Sequence, residues 1–392
     1  MKFLLTGDVH ISEDHPERLK AFEWIISQAD RLNIDGVLVS GDLFDSNSDF
    51  RRLRGEFTGV VEEVLGNLPL IIVPGNHDSA LSSGVYLGGG VRVLDGDDST
   101  YVFTGGGSKV TAYGLPYLQG RSSTAFLREL GRDGLATPSI LLAHGSLIYP
   151  GREYIYSGIS RQGGERDFLI YPEELPEEGF NAVILGHWHR YDHFVEGGRH
   201  FLYTGSPLPV AKSDLSRKFY EVLHVTGEGE VSLDKYPVGA PGSYYFRQER
   251  FFVLPDEGDY GAGRLRERLE GLDGGRRCWL MVVVDGFLGA GDERAVKSSL
   301  EEVVDGYRDR YYDVELDWKP VGVETLDRPL VSKFMGEVNS VADPEVRQLY
   351  ERVIGDDIPS GEGGFDVEPP PDAVRRRALK KTLRIMADRL SE

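Results

Sequence analysis

The chain has a single cysteine, Cys278, among 392 residues, which excludes an intramolecular disulfide and suits a reducing compartment. No apolar run approaches the roughly 20 residues that a membrane span requires, so a membrane partner is not expected. Met1-Lys2-Phe3-Leu4-Leu5 starts like a secretion signal, but its apolar run is too short to be one. Positive charge is also scarce: 44 Lys and Arg stand against 64 Asp and Glu, a formal net charge of −20. An acidic surface repels phosphates, and non-specific affinity for duplexes normally comes from Lys and Arg. The imbalance is uneven. From Asp372 to Glu392 seven basic residues (Arg375, Arg376, Arg377, Lys380, Lys381, Arg384, Arg389) face three acidic ones. With 40% apolar residues the chain can bury a large core and hold two domains plus an appendage. The expected location is cytoplasmic.

What the chain does have is a series of short polar motifs, each directly after an apolar, β-rich run. Gly7-Asp8-Val9-His10 follows Lys2-Phe3-Leu4-Leu5, and Gly41-Asp42-Leu43-Phe44-Asp45 follows Val37-Leu38-Val39. Gly75-Asn76-His77-Asp78 follows Leu70-Ile71-Ile72-Val73-Pro74, and Gly186-His187-Trp188-His189 follows Val183-Ile184-Leu185. His144 comes after Ile140-Leu141-Leu142-Ala143 in the same manner. Runs this short and apolar predict buried parallel strands with the motifs at their carboxyl ends. In open α/β sheets that edge is where ligands bind.

Two carboxylates, one amide oxygen and four imidazoles form a mixed oxygen and nitrogen donor set without thiolate. Such a set suits Mn²⁺, Fe²⁺ or Zn²⁺ and excludes an iron–sulfur cluster. Seven donors are too many for one ion and suit two divalent ions sharing a carboxylate, about 3.5–4 Å apart. Asp42 is the natural bridging candidate. Asp8 and His10 alternate along an extended segment, so both can reach one ion; the same holds for His187 and His189, which could instead serve neighbouring ions. Singly, each motif could be no more than a strand-ending turn. Burying so many ionisable groups side by side without a metal would cost several kcal/mol or more.

The ordered set Asp-X-His, Gly-Asp-X-X-Asp, Gly-Asn-His-Asp, His, Gly-His-X-His resembles the calcineurin-like metallophosphoesterase superfamily. Gly205-Ser206-Pro207-Leu208-Pro209, then Lys218-Phe219-Tyr220, is similar to the SbcD-type nucleases of double-strand-break repair, the meiotic-recombination-eleven family of archaea and eukaryotes. A β–α–β pattern through Cys278–Val284, Leu300–Val303 and Val314–Leu316 resembles that family's capping domain. The resemblance implies an α/β fold: a two-sheet metallophosphoesterase core sandwiched by helices, a small α/β capping domain and a helical carboxy-terminal tail. The expected division is a nuclease domain over 1–240, a DNA-binding cap over 241–325, and linker and helices over 326–392.

Position by position, the resemblance implies one ion on Asp8, His10, Asp42 and His189, and another on Asp42, Asn76, His144 and His187. His77 would contact the scissile phosphate and protonate the leaving oxygen, with Asp78 orienting it. Asp45 stands where archaeal and eukaryotic members usually carry histidine, so either it supports the ligands from behind or phosphate handling rests on His77 alone. The expected activity is Mn²⁺-dependent exonuclease and endonuclease action on DNA ends by a metal-activated water. Expected partners are DNA ends, an SMC-like ATPase of the SbcC type docked on the carboxy-terminal helices, and a second copy of the chain. Two other readings stay open: a phosphodiesterase or phosphatase for nucleotides and other small phosphoesters, and a mainly structural DNA-end-binding subunit.

Elsewhere the sequence is less specific. Arg51, Arg52 and Arg54 form a basic cluster whose default place is a solvated helix face. His15, His193, His200 and His224 lie in polar or alternating segments and read as structural or exposed. Tyr149–Glu165 is a polar, Gly-rich insertion after His144, placed where a substrate-facing loop would belong. Gly355–Asp372 has linker composition between two stretches of helical apolar spacing.

Overall fold

The computed structural model describes residues 1–322 apart from 97, 119–122, 131–134, 150–167, 177–178, 216, 254–257, 273–274 and 289–292. Contacts divide the chain into two units, Met1–Arg247 and Gln248–Glu392. In chain order the first unit holds β1 (Lys2–Thr6), α1 (Pro16–Ile26), α2 (Ala29–Leu32), β2 (Gly36–Val39), α3 (Asn47–Leu65), β3 (Leu70–Ile72) and β4 (Val91–Val93). Next come β5 (Thr100–Gly105), β6 (Ser108–Leu115), α4 (Ser123–Leu130), β7 (Ser139–His144), β8 (Ser146–Leu147) and β9 (Leu169–Ile170). It closes with β10 (Ala182–Gly186), β11 (Asp192–Glu196), β12 (Arg199–Tyr203), β13 (Phe219–Val225) and β14 (Val231–Pro237).

Two six-stranded sheets carry this unit, with strand orders β14-β13-β1-β2-β3-β4 and β11-β12-β10-β7-β6-β5. Strands β1 to β4 run parallel, with Leu5 beside Leu38 and Leu38 beside Ile71. Strands β6, β7, β10 and β12 are also mutually parallel. Successive side chains leave opposite faces of a strand, so the apolar runs divide between cores. Phe3, Leu5, Leu38 and Ile71 join Val110, Ile140, Leu142 and Ile184 in a core between the sheets. Leu4, Val37, Val39, Leu70 and Ile72 face outward and pack with Phe22, Ile25, Phe57 and Val61 of α1 and α3. Leu141, Ala143, Val183 and Leu185 form a third core on the outer face of the second sheet. Full burial of one such side chain is worth about 1.5–3 kcal/mol. Burial on both faces is why the strands read as unbroken apolar runs rather than alternating ones.

The flanking helices follow from local chemistry. Pro16 opens α1, where its missing N–H costs nothing. Ser46 caps α3 by accepting the Asp49 amide at 3.1 Å. Arg51, Arg52 and Arg54 lie on the exposed face of α3; Arg52 pairs with Glu13, and Arg54 stands over the Phe50 ring.

Strand β15 (Tyr245–Val253) runs across the division, and the second unit goes on with α5 (Gly258–Glu270), β16 (Cys278–Leu288), α6 (Glu293–Asp305), β17 (Asp313–Trp318) and β18 (Val321–Gly322). Strand β17 pairs parallel with β16 through the α6 crossover, the β–α–β pattern expected there. Leu300, Val303 and Val304 form the buried stripe of α6. The carboxy-terminal helices and linker over 326–392, and the insertion after Tyr149, lie outside the described residues.

Candidate metal centre

Every sequence motif falls at a strand's carboxyl end: after β1, β2 and β3 in one sheet, and at the ends of β7 and β10 in the other. The first two motif loops run side by side. Asp8 N–H donates to the Gly41 carbonyl at 2.9 Å, His10 N–H to Asp42 O at 3.0 Å and Ile11 N–H to Leu43 O at 2.9 Å. Bonds then cross between the sheets. His144 Nδ1–H donates to Ser40 O at 2.8 Å, and the His187 amide donates to Asp8 Oδ1 at 2.9 Å. Ser40 and Thr204 join through their hydroxyls at 3.0 Å.

The backbone is bent to make this arrangement. Five non-glycine residues among those described have positive φ, and four are Asp8 (48°), His10 (52°), Asp42 (47°) and His187 (98°). Such conformations cost on the order of 1–3 kcal/mol each and concentrate at functional sites. The motif glycines answer a second need, close approach. A Cβ on Gly186 would lie 2.0 Å from Ser40 O, and one on Gly75 would lie 2.4 Å from the Asp42 amide nitrogen.

The donors assemble around Asp42. His10 Nε2 is 3.7 Å and His144 Nε2 3.4 Å from Asp42 Oδ2. On one side, His10 Nε2 and His189 Nε2 are 3.2 Å apart, and Asp8 joins them as a set able to hold a cation. On the other, Asn76 Oδ1 lies 3.0 Å from His144 Nε2 and 3.1 Å from His187 Nδ1. Asp8, Asp42 and His144 form a further such set. Asp8 is fully buried, and its Oδ2 has no hydrogen-bond partner. An orphaned buried carboxylate oxygen is costly, and a cation among these donors would satisfy it. The residues therefore fit a divalent metal, and the absence of thiolate favours the harder ions.

The electrostatics is equally uneven. Burial raises the Asp8 pKa against the pull of His144 and His189. Burial would raise Asp42 as well, but the charges of His144 and His10 and the His77 amide hold it well below the usual carboxylate range. For His144, burial is overcome by Asp42 and Asp8, which push its pKa up to about 9. Burial, then the charge of His144, takes His187 down to about 3.

His77 is exposed beside the donors. Its amide donates to Asp42 Oδ1 at 2.9 Å and its Nδ1–H to the Asp45 carbonyl at 2.6 Å, leaving Nε2 free. His10, Asp45 and His77 also lie within ligand reach of one another. Asp45 Oδ1 accepts from His10 Nδ1–H at 3.0 Å.

Asp78 departs from its expected place. Rather than orienting the His77 ring, it is buried under the second motif. It accepts the amides of Leu43 (2.8 Å), Phe44 (3.0 Å) and Gly75 (3.3 Å). Successive residues of a turn point apart, so adjacency in sequence does not make the two side chains meet. Burial, and then the charge of Asp42, raises the Asp78 carboxyl to about 7. Asp78→Ala should leave buried amides unpaired and lower unfolding stability by about 1–3 kcal/mol per amide, measurable by urea denaturation.

Three neighbours were given no role at the centre by the sequence, although Lys218 opens the Lys218-Phe219-Tyr220 motif. Arg18, 4% exposed, donates from Nη1 to the His10 carbonyl at 3.0 Å and lies 3.6 Å from Asp45 Oδ1. Asp214 Oδ2 is 3.2 Å from His189 Nδ1. Lys218, 7% exposed, donates from Nζ to the His189 carbonyl and to Ser206 Oγ, each at 3.0 Å. Burial lowers the Lys218 pKa to about 8. Among the other histidines, His193 Nε2 and His200 Nδ1 are 3.2 Å apart, His224 pairs with Asp234 and His15 with Glu17; none of these contacts reaches the centre.

Residues 1–191 match the calcineurin-like phosphoesterase family, a stretch that contains every metal donor named above. The chain carries a calcineurin-like metallophosphoesterase domain. Its likeness within that class is to SbcD- and Mre11-type nucleases, as the motifs implied. It is 22% identical over 275 residues to the SbcD component of nuclease SbcCD of Escherichia coli K12, covering 59% of this chain and 66% of that protein. It is 24% identical over 249 residues to the DNA double-strand break repair protein Mre11 of Methanosarcina mazei, covering 60% and 38%. With Mre11 of Haloferax volcanii it shares 24% over 279 residues, covering 68% and 58%. The matches thus span less than two thirds of each relative's length. No helix among the described residues is long and apolar enough to cross a membrane.

Proposed function

We propose that this chain is a Mn²⁺-dependent DNA nuclease, exonucleolytic and endonucleolytic, that hydrolyses phosphodiesters at double-strand-break ends. The observation that carries the chemistry is the ring of donors about Asp42, with the unpaired Oδ2 of buried Asp8 among them. One cation would sit on Asp8, His10, Asp42 and His189, and a second on Asp42, Asn76, His144 and His187. When bound, such a pair supplies Lewis-acid polarisation of the phosphate and a water acidic enough to act at neutral pH.

The chain's own groups do the rest. His77, as the imidazolium, presents Nε2–H to the phosphate and gives that proton to the leaving oxygen as its P–O bond breaks and the oxygen of the attacking water bonds to phosphorus. Its Nδ1 is fixed by the Asp45 carbonyl, so the ring cannot swing away. Asp45 and Arg18 hold His10, while Asp78 holds the loop that carries Asp42. No protein nucleophile is needed.

The DNA substrate rests on the named nucleases to which the chain is similar. The second unit would cap the substrate, an SMC-like ATPase of the SbcC type would dock on the carboxy-terminal helices, and the chain would pair with a second copy. The net charge of −20 favours instead a small phosphoester as substrate. The two readings separate in one assay, Mn²⁺-dependent turnover of linear duplex and hairpin DNA beside a chromogenic phosphodiester. Degraded DNA is the expected result. Turnover of the small ester with DNA untouched, even with an ATPase partner added, would overturn the nuclease reading and leave the phosphoesterase chemistry.

A further inference from the structure

The two halves of the donor ring are held by unlike groups. In the half containing Asp8, both imidazoles rest on carboxylates: His10 Nδ1 on Asp45 Oδ1 at 3.0 Å, and His189 Nδ1 on Asp214 Oδ2 at 3.2 Å. Their Nε2 atoms are thereby aimed at one point. In the other half, His144 Nδ1 rests on a neutral acceptor, the Ser40 carbonyl, and His187 turns its own Nδ1 to Asn76. A carboxylate behind an imidazole makes the far nitrogen a stronger donor than a carbonyl does, and it fixes the tautomer.

Asp214 is the better placed of the two carboxylates. Its side chain is 13% exposed against 39% for Asp45, so solvent screens it less. Its Oδ2 also accepts the Val210 amide at 2.8 Å, which fixes the loop. Arg18 reaches from the His10 carbonyl toward Val210 O at 3.5 Å, and Lys218 holds the His189 carbonyl. Two buried cations thus brace the backbone at His10 and His189, the two imidazoles of this half.

We infer that Asp214 is a positioning residue for one cation: through His189 it makes the Asp8–His10–His189 half the tighter of two unequal metal sites. This rests on the reading of the centre as a two-cation site. Filling is then sequential, the tighter half loading first and the half holding His144 and His187 loading at higher metal concentration.

The test is calorimetric titration of the full-length, metal-stripped chain with Mn²⁺, wild type beside Asp214→Asn. The wild type should show two binding events of different affinity. In Asp214→Asn the tighter event should weaken about 10–100-fold while the weaker one stays put; a general structural defect would weaken both. Should Asp214→Asn fail to fold, the imidazole ¹⁵N spectrum of the Zn²⁺-loaded wild type decides. Positioning by Asp214 requires His189 Nδ1 to carry the proton, and a metal-bound Nδ1 would overturn it. An unchanged titration, or equal weakening of both events, would also overturn it and leave the centre intact. A wild type that binds no cation would overturn the two-cation reading and the role of Asp214 together.

Discussion

Asp42→Asn should reduce phosphodiesterase turnover by about 10³-fold or more and lower the metal content of the chain. The substitution keeps the shape of the side chain and an oxygen for the His77 amide, which Asp42 Oδ1 accepts at 2.9 Å. It removes the negative charge set between His10 Nε2 at 3.7 Å and His144 Nε2 at 3.4 Å. Asp42 touches donors of both halves, so its charge is the one that neither half can replace. A factor of 10³ is about 4 kcal/mol of transition-state stabilisation, too large for the loss of one exposed ion pair. The measurement is turnover of a phosphodiester beside metal content after dialysis, with circular dichroism as the check on folding. Full activity in the variant would remove Asp42 from the centre.

His77→Ser should have a comparable effect by a different route. Loss of a general acid lowers kcat by about 10²–10⁴-fold, and the metal content should not change, because His77 belongs to neither of the two expected ligand sets. Its ring stands edge-on to His10, with centroids 4.8 Å apart, and its Nδ1 is occupied by the Asp45 carbonyl. Only Nε2 is free to meet substrate. A substrate whose leaving group needs no proton, such as a nitrophenolate ester, should lose less than one with an alkoxide leaving group. Equal losses on the two would argue that His77 binds phosphate and transfers no proton. Loss of metal along with activity would make it a ligand.

The strands and the donor ring were legible because both are written locally. Each motif follows its strand without interruption, so a sheet that brings the strand ends together brings the donors together. The alternation of Phe3 and Leu5 inward with Leu4 outward explains why the runs lack polar interruptions. Asp78 was misplaced because neighbouring residues in a turn do not share a direction. Asp214 was missed for a different reason. It lies 25 residues beyond His189 in a polar loop, between the Gly205–Pro209 and Lys218–Tyr220 segments but in neither. Arg18 was missed, and Lys218 was read only as part of a family motif, because buried cations are rare among their kinds. Each becomes visible only when the loop that it braces is seen beside the centre. The net charge is a coarser guide: a whole-chain sum bears on solubility and on bulk repulsion of phosphates, not directly on the field inside one crevice.

On the proposed function the donors around Asp42 hold two cations. Anomalous diffraction from crystals soaked in Mn²⁺ tests it most directly. Two peaks flanking the Asp42 carboxylate, about 3.5–4 Å apart, are the predicted result. A single peak there, or manganese bound only elsewhere on the acidic surface, would contradict it.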